Sequence, residues 1–103
     1  MDYELIISDR ADELIDRLAS YLLRYLKNPD AASHFPDELD SIYDRLADNP
    51  YQFAENPDKF LLMRGYREAV FETMQYKVVY RIENRQVLIV GVFHTLEDYR
   101  RKV

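Results

Sequence analysis

The sequence has few or none of the residues on which several classes of site depend. It contains no cysteine and no tryptophan, so disulfide frameworks, thiolate metal sites and cysteine nucleophiles are excluded. Its two glycines are too few for a Walker loop or a dinucleotide-binding loop. Gly65 instead predicts a turn. Gly91, inside an apolar run, predicts a strand bulge or a close backbone approach.

Long apolar runs are also missing. No run reaches the roughly 18 residues that a membrane span requires, and residues 1–4 (MDYE) are acidic where a signal peptide is basic. We therefore expect no membrane partner and a cytoplasmic location. The two histidines, His34 and His94, lie far apart in the chain and have no ligand-like neighbours. We accordingly expect no metal site and no cofactor.

What the chain does contain is charge of both signs and many aromatic side chains. Its 103 residues include nine Tyr, five Phe, 19 acidic and 14 basic residues, for a net charge of -5. This balance argues against general nucleic-acid binding through a basic surface. A local basic patch stays open, because the later half of the chain holds a set of basic residues: Arg64, Arg67, Lys77, Arg81, Arg85, Arg100, Arg101 and Lys102.

Two amphipathic helices are predicted in the first half of the chain. Apolar residues at three- and four-residue steps predict a helix over about residues 9–26, with Ser8 as its N-cap. Asn28-Pro29-Asp30 favours the start of a second helix that ends near residue 50. Pro36 lies inside this second helix and predicts a kink or a restart there. The tight connection predicts an antiparallel helical hairpin.

Strand signals lie at the start of the chain and again in its second half. Alternating or continuous apolar residues predict strands over residues 2–7, 67–73, 76–83 and 87–94. Residues 50–59 are expected to form a loop, residues 60–66 to add a strand or lead into one, and the tail from residue 96 to be weakly helical. The segregated order predicts an α+β fold over a single domain, residues 1–103. In it a helical hairpin packs on a mostly antiparallel sheet of about four strands.

One set of side chains in the predicted sheet and tail has the chemistry for a site. Metal-independent RNA cleavage requires a base for the ribose 2′-hydroxyl, cations for the phosphate and an acid for the leaving oxygen. Lys77 or Arg67 would stabilise charge, and His94 or Tyr99 would move protons. Alternatively, Lys77 and Arg81 are solvent-facing and His94 caps a sheet edge. The complete set is Arg67, Lys77, Arg81, His94, Tyr99 and Arg100.

Several short elements occur together in a recognisable order. They are Tyr3 to Ile7 with Ser8 and Ala11, Asn28-Pro29-Asp30-Ala31-Ala32, Leu46 to Pro50, Gly65-Tyr66-Arg67, Tyr76 to Ile82, and His94 followed by Asp98-Tyr99. With these elements the chain resembles the RelE/ParE superfamily of toxins from bacterial type II toxin–antitoxin modules. The resemblance implies a small α+β toxin with a groove between hairpin and sheet, and a cognate antitoxin protein as partner.

The resemblance leaves two functions open. RelE-like members cut messenger RNA on the ribosome, whereas ParE-like members lack the catalytic set and act on DNA gyrase. Two departures favour the ParE-like function. Thr95-Leu96-Glu97 replaces a stretch in which many relatives carry two arginines, and Lys77 stands where ribonuclease members have Arg.

The alternative is a ribosome-dependent endoribonuclease with Lys77, His94 and Tyr99 as the catalytic residues. Tyr99 matches the C-terminal Tyr that serves as acid or base in ribonuclease members. Arg67, Arg81 and Arg100 are then binding candidates. A homodimer and a toxin–antitoxin hetero-oligomer both remain open as assemblies.

Overall fold

The computed structural model describes residues 2–24 and 29–102. The elements in chain order are β1 (Glu4–Ile7), α1 (Asp9–Arg24), α2 (Pro29–Asp48), α3 (Lys59–Met63), β2 (Arg67–Val70), β3 (Tyr76–Glu83) and β4 (Gln86–His94). The four strands form one sheet in the order β1-β4-β3-β2. β1 runs parallel to β4, and the other two pairings are antiparallel. The predicted α+β class and mostly antiparallel sheet are confirmed.

The first helix begins where its capping residue predicts. Ser8 Oγ accepts a hydrogen bond from the Ala11 amide at 3.1 Å, which satisfies one of the unpaired donors of the first turn. Ala11 and Leu22 are buried on the side of α1 that faces the sheet. The predicted end of this helix at residues 25–26, and the connection through Asn28, lie outside the described residues.

The second helix runs through its internal proline. α2 is one helix from Pro29 to Asp48 with Pro36 inside it, so the predicted restart at that residue is wrong. Pro36 is solvent-exposed, and the apolar stripe keeps its phase on both sides of it. That stripe packs into the core through Phe35, Leu39, Ile42 and Leu46. Burial of the stripe outweighs the cost of the lost backbone hydrogen bond.

The central strand β3 sends alternate side chains to two different faces of the sheet. Val78 and Tyr80 lie on the face that packs against α1 and α2, hereafter the helix face. Lys77 and Val79 lie on the opposite face, hereafter the second face. There a smaller apolar cluster forms around Val79 with side chains of α3, β4 and the tail. Because both faces of β3 are covered, Lys77 is buried, and the interpretation of Lys77 as a solvent-facing residue is wrong.

The segment before β2 is helical rather than extended. Residues 59–63 form α3, because Asp58 Oδ1 accepts hydrogen bonds from the Phe60 and Leu61 amides and caps the turn. The strand alternative for residues 60–66 is therefore wrong. Gly65 follows α3 with a φ of 84°, a left-handed conformation that glycine adopts without steric cost. The predicted turn at Gly65 is confirmed.

A tight turn joins β3 to β4. The chain turns at Asn84, whose φ of 55° is tolerated by asparagine. The pairing of β3 with β4 shifts at Val79/Tyr80, which leaves Val90 as the extra residue of a bulge next to Gly91. A Cβ at Gly91 would lie 3.1 Å from the Phe93 ring. The bulge predicted at Gly91 is confirmed, and the groups that approach Gly91 closely are the side chains of Phe93 and Leu14 rather than another backbone.

The loop between α2 and α3 is tied to the sheet by polar side chains. The Tyr80 hydroxyl donates to the Pro50 carbonyl at 2.7 Å, and Arg67 Nη2 donates to the Phe53 carbonyl at 3.0 Å. Burial raises the pKa of Tyr80, so its hydroxyl remains a donor at neutral pH.

Across the described ranges, the structure contains no helix long and apolar enough to cross a membrane.

Both the end of β2 and the tail differ from expectation. β2 ends at Val70 rather than residue 73. The Phe71 amide still bonds across to the Tyr76 carbonyl, but a carboxylate of α2 takes the next two amides. Glu38 accepts from the Glu72 amide at 2.5 Å and from the Thr73 amide at 2.8 Å. After His94 the tail, described as far as Lys102, forms turns and no helix, so the weak helical prediction there is wrong.

We expect Glu38→Gln to weaken the fold by about 1 kcal/mol, the scale of hydrogen bonds to a charged acceptor discounted for exposure. Burial raises the pKa of Glu38. The hydrogen bonds from Thr73 and Glu72, with nearby His34, outweigh it and leave the pKa below its ordinary value. The stabilisation is therefore present above about pH 4.3 and is lost as pH falls through the lowered pKa.

Urea denaturation at pH 7 and at pH 3 measures this difference. Asp37→Asn removes the same charge from the neighbouring exposed position of α2 and is the matched control. An equal loss for both variants at pH 7, or a Glu38→Gln loss that persists undiminished at pH 3, would contradict the role given to Glu38.

Candidate functional site

Two of the predicted site residues meet on the second face of the sheet. Lys77 reaches this face from the middle of the sheet, where it pairs with Val70 on one side and Phe93 on the other. Tyr99 reaches it from the tail and stacks on Phe93, with ring centroids 5.2 Å apart and planes 17° apart. Lys77 Nζ lies 4.9 Å from the centroid of the Tyr99 ring, a cation–π distance.

A carboxylate that the sequence analysis did not single out joins these two side chains. Glu68 Oε2 lies 3.3 Å from Lys77 Nζ and accepts a hydrogen bond from the Tyr99 hydroxyl at 2.5 Å. The side chains of Lys77 and Glu68 are each only 10% exposed. Glu68 therefore neutralises the charge of Lys77 and accepts the hydrogen bond that the Tyr99 hydroxyl donates.

The hydroxyl oxygen of Tyr99 has a second partner. Asn56 Nδ2 donates to it at 2.7 Å, and Asn56 is itself 3% exposed. Burial, followed by the hydrogen bond to Glu68, raises the pKa of Tyr99 above its ordinary value. The phenol therefore keeps its proton at neutral pH and donates it to Glu68, so it is poorly placed to act as a general base.

His94 lies apart from this cluster. Its ring packs edge-on against Tyr76 at 5.7 Å, and Tyr76 belongs to the apolar cluster of the helix face. His94 Nδ1 accepts a hydrogen bond from the Leu96 amide at 3.2 Å. Strand alternation sends His94 and Lys77 to opposite faces of the sheet, so the structure does not unite the three predicted catalytic residues.

The three candidate binding arginines do not share a surface either. Arg67 lies on the helix face, opposite Tyr80. Arg81 lies on the second face, 3.4 Å from Glu83. Arg100 lies in the tail, bound to Asp98 at 2.8 Å.

The Arg100 pair is held tightly by hydrogen bonds. Arg100 donates from its side chain and its backbone amide to Asp98 and so lowers the pKa of that carboxyl to about 2. A second carboxylate, that of Asp58, lies 3.7 Å from Arg100. Each of these cations therefore carries a local counter-charge or carbonyl partner, which reduces its availability to a phosphate.

Glu68 and Asn56 were missed because they come from other parts of the chain. Their sequence signals are visible in retrospect. Once the β2–β3 register is known, strand alternation places Glu68 on the same face of the sheet as Lys77. Asn56-Pro57-Asp58 repeats the helix-start pattern of Asn28-Pro29-Asp30. No group of three or more His, Cys, Asp or Glu suited to a metal ion occurs within residues 2–24 and 29–102.

Two surface cavities flank the cluster. One, of about 300 Å³, opens beside Glu68, Lys77 and Tyr99. The other, of about 380 Å³, lies between α1 and the end of β4. We call it the α1–β4 groove. It is lined by Leu14, Arg17, Leu18, Tyr21, Tyr76, Val92, Phe93, His94, Glu97 and Lys102.

The sequence and fold can be placed among known proteins. The profile of the ParE toxin of type II toxin-antitoxin system, parDE, matches residues 5–99. This chain belongs to the ParE toxin family. The matched range contains Asn56, Glu68, Lys77 and Tyr99. The whole group of side chains around Glu68 therefore lies within the part of the chain that matches the family. The RelE/ParE resemblance seen in the sequence is thereby confirmed.

The ParE fold is also seen in a solved structure. A chain of the chromosomal ParDE TA system from P. aeruginosa superposes with a TM-score of 0.68 at 16% sequence identity. The alignment covers 90% of this chain and 96% of that chain. At this identity the likeness establishes the fold alone. No curated protein sequence matches this ParE-family chain.

We expect Glu68→Gln and Lys77→Met each to destabilise this ParE-family fold by about 2 kcal/mol, because each leaves a largely buried partner without its counter-charge. The double variant should lose less than the sum, with a coupling energy of about 1–3 kcal/mol. Urea unfolding of the four proteins measures the cycle.

The Arg81–Glu83 pair is the matched control on the same strand. Its side chains are 39% and 49% exposed, so the cycle of Arg81→Met with Glu83→Gln should give a coupling under about 1 kcal/mol. Equal coupling in the two cycles would show that the Glu68–Lys77 pair has no special weight.

Proposed function

We propose that this ParE-family chain arrests growth by acting on a protein target such as DNA gyrase, and that a cognate antitoxin neutralises it. On this proposal it is not a ribonuclease. Family membership makes it a toxin of a type II toxin–antitoxin system. The choice of a protein target rests on one observation, the capture of Lys77 and Tyr99 by Glu68.

RNA cleavage without a metal needs a free cation near the phosphate and a group that can exchange a proton with the ribose or the leaving oxygen. Lys77 Nζ is 3.3 Å from a carboxylate and donates to the Thr95 carbonyl at 3.3 Å. The Tyr99 hydroxyl is held between Glu68 and Asn56. His94, the remaining candidate, lies on the other side of the sheet.

The charge distribution supports the same conclusion. Of the eight basic residues of the later half, which left a local basic patch open, four lie against acidic neighbours, and Lys77 with Glu68 is one of these pairs. Arg81 lies against Glu83, Arg100 against Asp98, and Lys102 against Glu97. Local pairing of this kind lowers the positive potential that would attract a polyanion such as ribosomal RNA.

The antitoxin part of the proposal is supported by the α1–β4 groove. Its floor contains Leu14, Leu18 and Phe93, and Tyr21 stands at its edge with 46% of its surface exposed. An apolar groove beside a helix suits the apolar face of a partner segment, and exposed aromatic residues commonly anchor such contacts. We propose that the antitoxin covers this groove, in a toxin–antitoxin hetero-oligomer.

Induced expression tests the target. We expect a DNA damage response with intact messenger RNA, and inhibition of supercoiling when the purified toxin is added to gyrase. Tyr99→Phe should keep this toxicity at temperatures where the variant stays folded, because the hydroxyl has no chemical role on this proposal. Cuts at codon positions in messenger RNA that disappear with Tyr99→Phe would instead establish the ribonuclease alternative.

Truncation of Tyr21 tests the antitoxin surface. Tyr21→Ala should weaken antitoxin binding about tenfold, the effect of removing one well-packed aromatic contact. Leu23→Ala is the matched control, because Leu23 is 64% exposed on the same helix and does not line the groove. Titration calorimetry gives both affinities. Equal affinities for the two variants would place the antitoxin elsewhere.

A further inference from the structure

The tail after β4, residues 95–102, is attached to the domain through very few groups. All eight residues are described, and Tyr99 alone among them is buried, at 2% exposure. Among the described residues, one backbone hydrogen bond joins the tail to another part of the fold, from the Thr95 amide to the Gln75 carbonyl at 2.9 Å. The bonds of the Glu97 and Lys102 amides are local, to His94 and Tyr99.

The side chain of Tyr99 makes most of the other contacts between the tail and the domain. Its ring stacks on Phe93, and its hydroxyl bonds to Glu68 and Asn56. The other tail contacts that reach the domain are longer or more exposed. Lys77 Nζ donates to the Thr95 carbonyl at 3.3 Å. Arg100 lies 3.7 Å from Asp58 with half its side chain in solvent, a geometry that contributes little to stability.

The groups beneath Tyr99 would tolerate exposure to water. Glu68 and Lys77 are charged, gain hydration if the tyrosine leaves, and keep each other as partners at 3.3 Å. The 300 Å³ cavity already brings solvent to their edge. The apolar cluster that departure would disturb is smaller than that of the helix face. Besides Tyr99 it contains the buried Leu61, Val79 and Phe93 and the partly buried Leu14, Tyr66 and Val90.

We propose that residues 95–102 form a strap that opens as a unit while the sheet stays folded, with Tyr99 as its main anchor. Segments with few buried contacts open locally at much lower free energy than the core. In the closed state the strap covers Lys77 and Val79. In the open state the second face of the sheet becomes accessible and the helix face does not, so opening changes one surface of the toxin selectively.

The absence of cysteine allows a direct test by thiol labelling. Val78→Cys and Val79→Cys are matched probes, because these adjacent residues are both 0% exposed and lie on opposite faces. We expect the thiol at position 79 to react with a soluble disulfide reagent faster than the thiol at position 78. Adding Tyr99→Phe should speed labelling at position 79 about tenfold, by loss of the buried hydroxyl bonds, and leave position 78 unchanged.

Equal labelling rates at the two positions would overturn the proposal, because both would then report global unfolding. A rate at position 79 that Tyr99→Phe leaves unchanged would also overturn it, since the opening would then belong to another element such as α3. Tyr66→Phe removes a phenol hydroxyl from a residue packed on the same cluster and should have no effect.

Amide hydrogen exchange on the unaltered chain gives a second readout. We expect the Thr95 amide, which bonds to Gln75 outside the strap, to exchange through an opening that leaves the amides of β3 protected. Exchange of all of them at the rate of global unfolding would contradict a strap.

Discussion

The carboxylate of Glu68 is the group on which the second face of the sheet depends. A lysine in the middle of β3 would be costly to bury alone, because transfer of an unpaired ammonium from water is strongly unfavourable. With Glu68 at 3.3 Å, Lys77 is accommodated beneath the tail. The same carboxylate then binds the Tyr99 hydroxyl and so holds the tail down. One acidic side chain therefore stabilises both the buried Lys77 and the position of the tail on the second face.

This arrangement also bears on the choice between the two functions that the sequence left open. A lysine and a tyrosine at these positions have the chemistry for RNA cleavage when considered singly. Considered with their partners, the lysine is neutralised and the phenol keeps its proton. The stretch Thr95-Leu96-Glu97, where many relatives carry two arginines, also favours the ParE-like function. This argument is independent of the first, because it rests on the sequence and not on contacts in the fold.

The sequence predicted the architecture well where the signal is local. Ser8 caps α1, the stripe of α2 is buried, and Gly65 turns the chain where expected. It failed where a distant group decides the outcome. The Glu72 and Thr73 amides, predicted to lie in a strand, bond instead to Glu38, which is 34 residues away from Glu72. The short α3 was missed although its capping residue, Asp58, could have been recognised.

The sequence by itself thus determined the two long helices, the positions of the four strands along the chain and the family resemblance, because periodicity and capping act over a few neighbouring residues. Only the tertiary structure decided which partners the chemically active side chains have. Glu68 and Asn56 lie 31 and 43 residues from Tyr99, and no local pattern connects them. Strand register and the path of the tail bring them together, and these depend on packing of the whole chain.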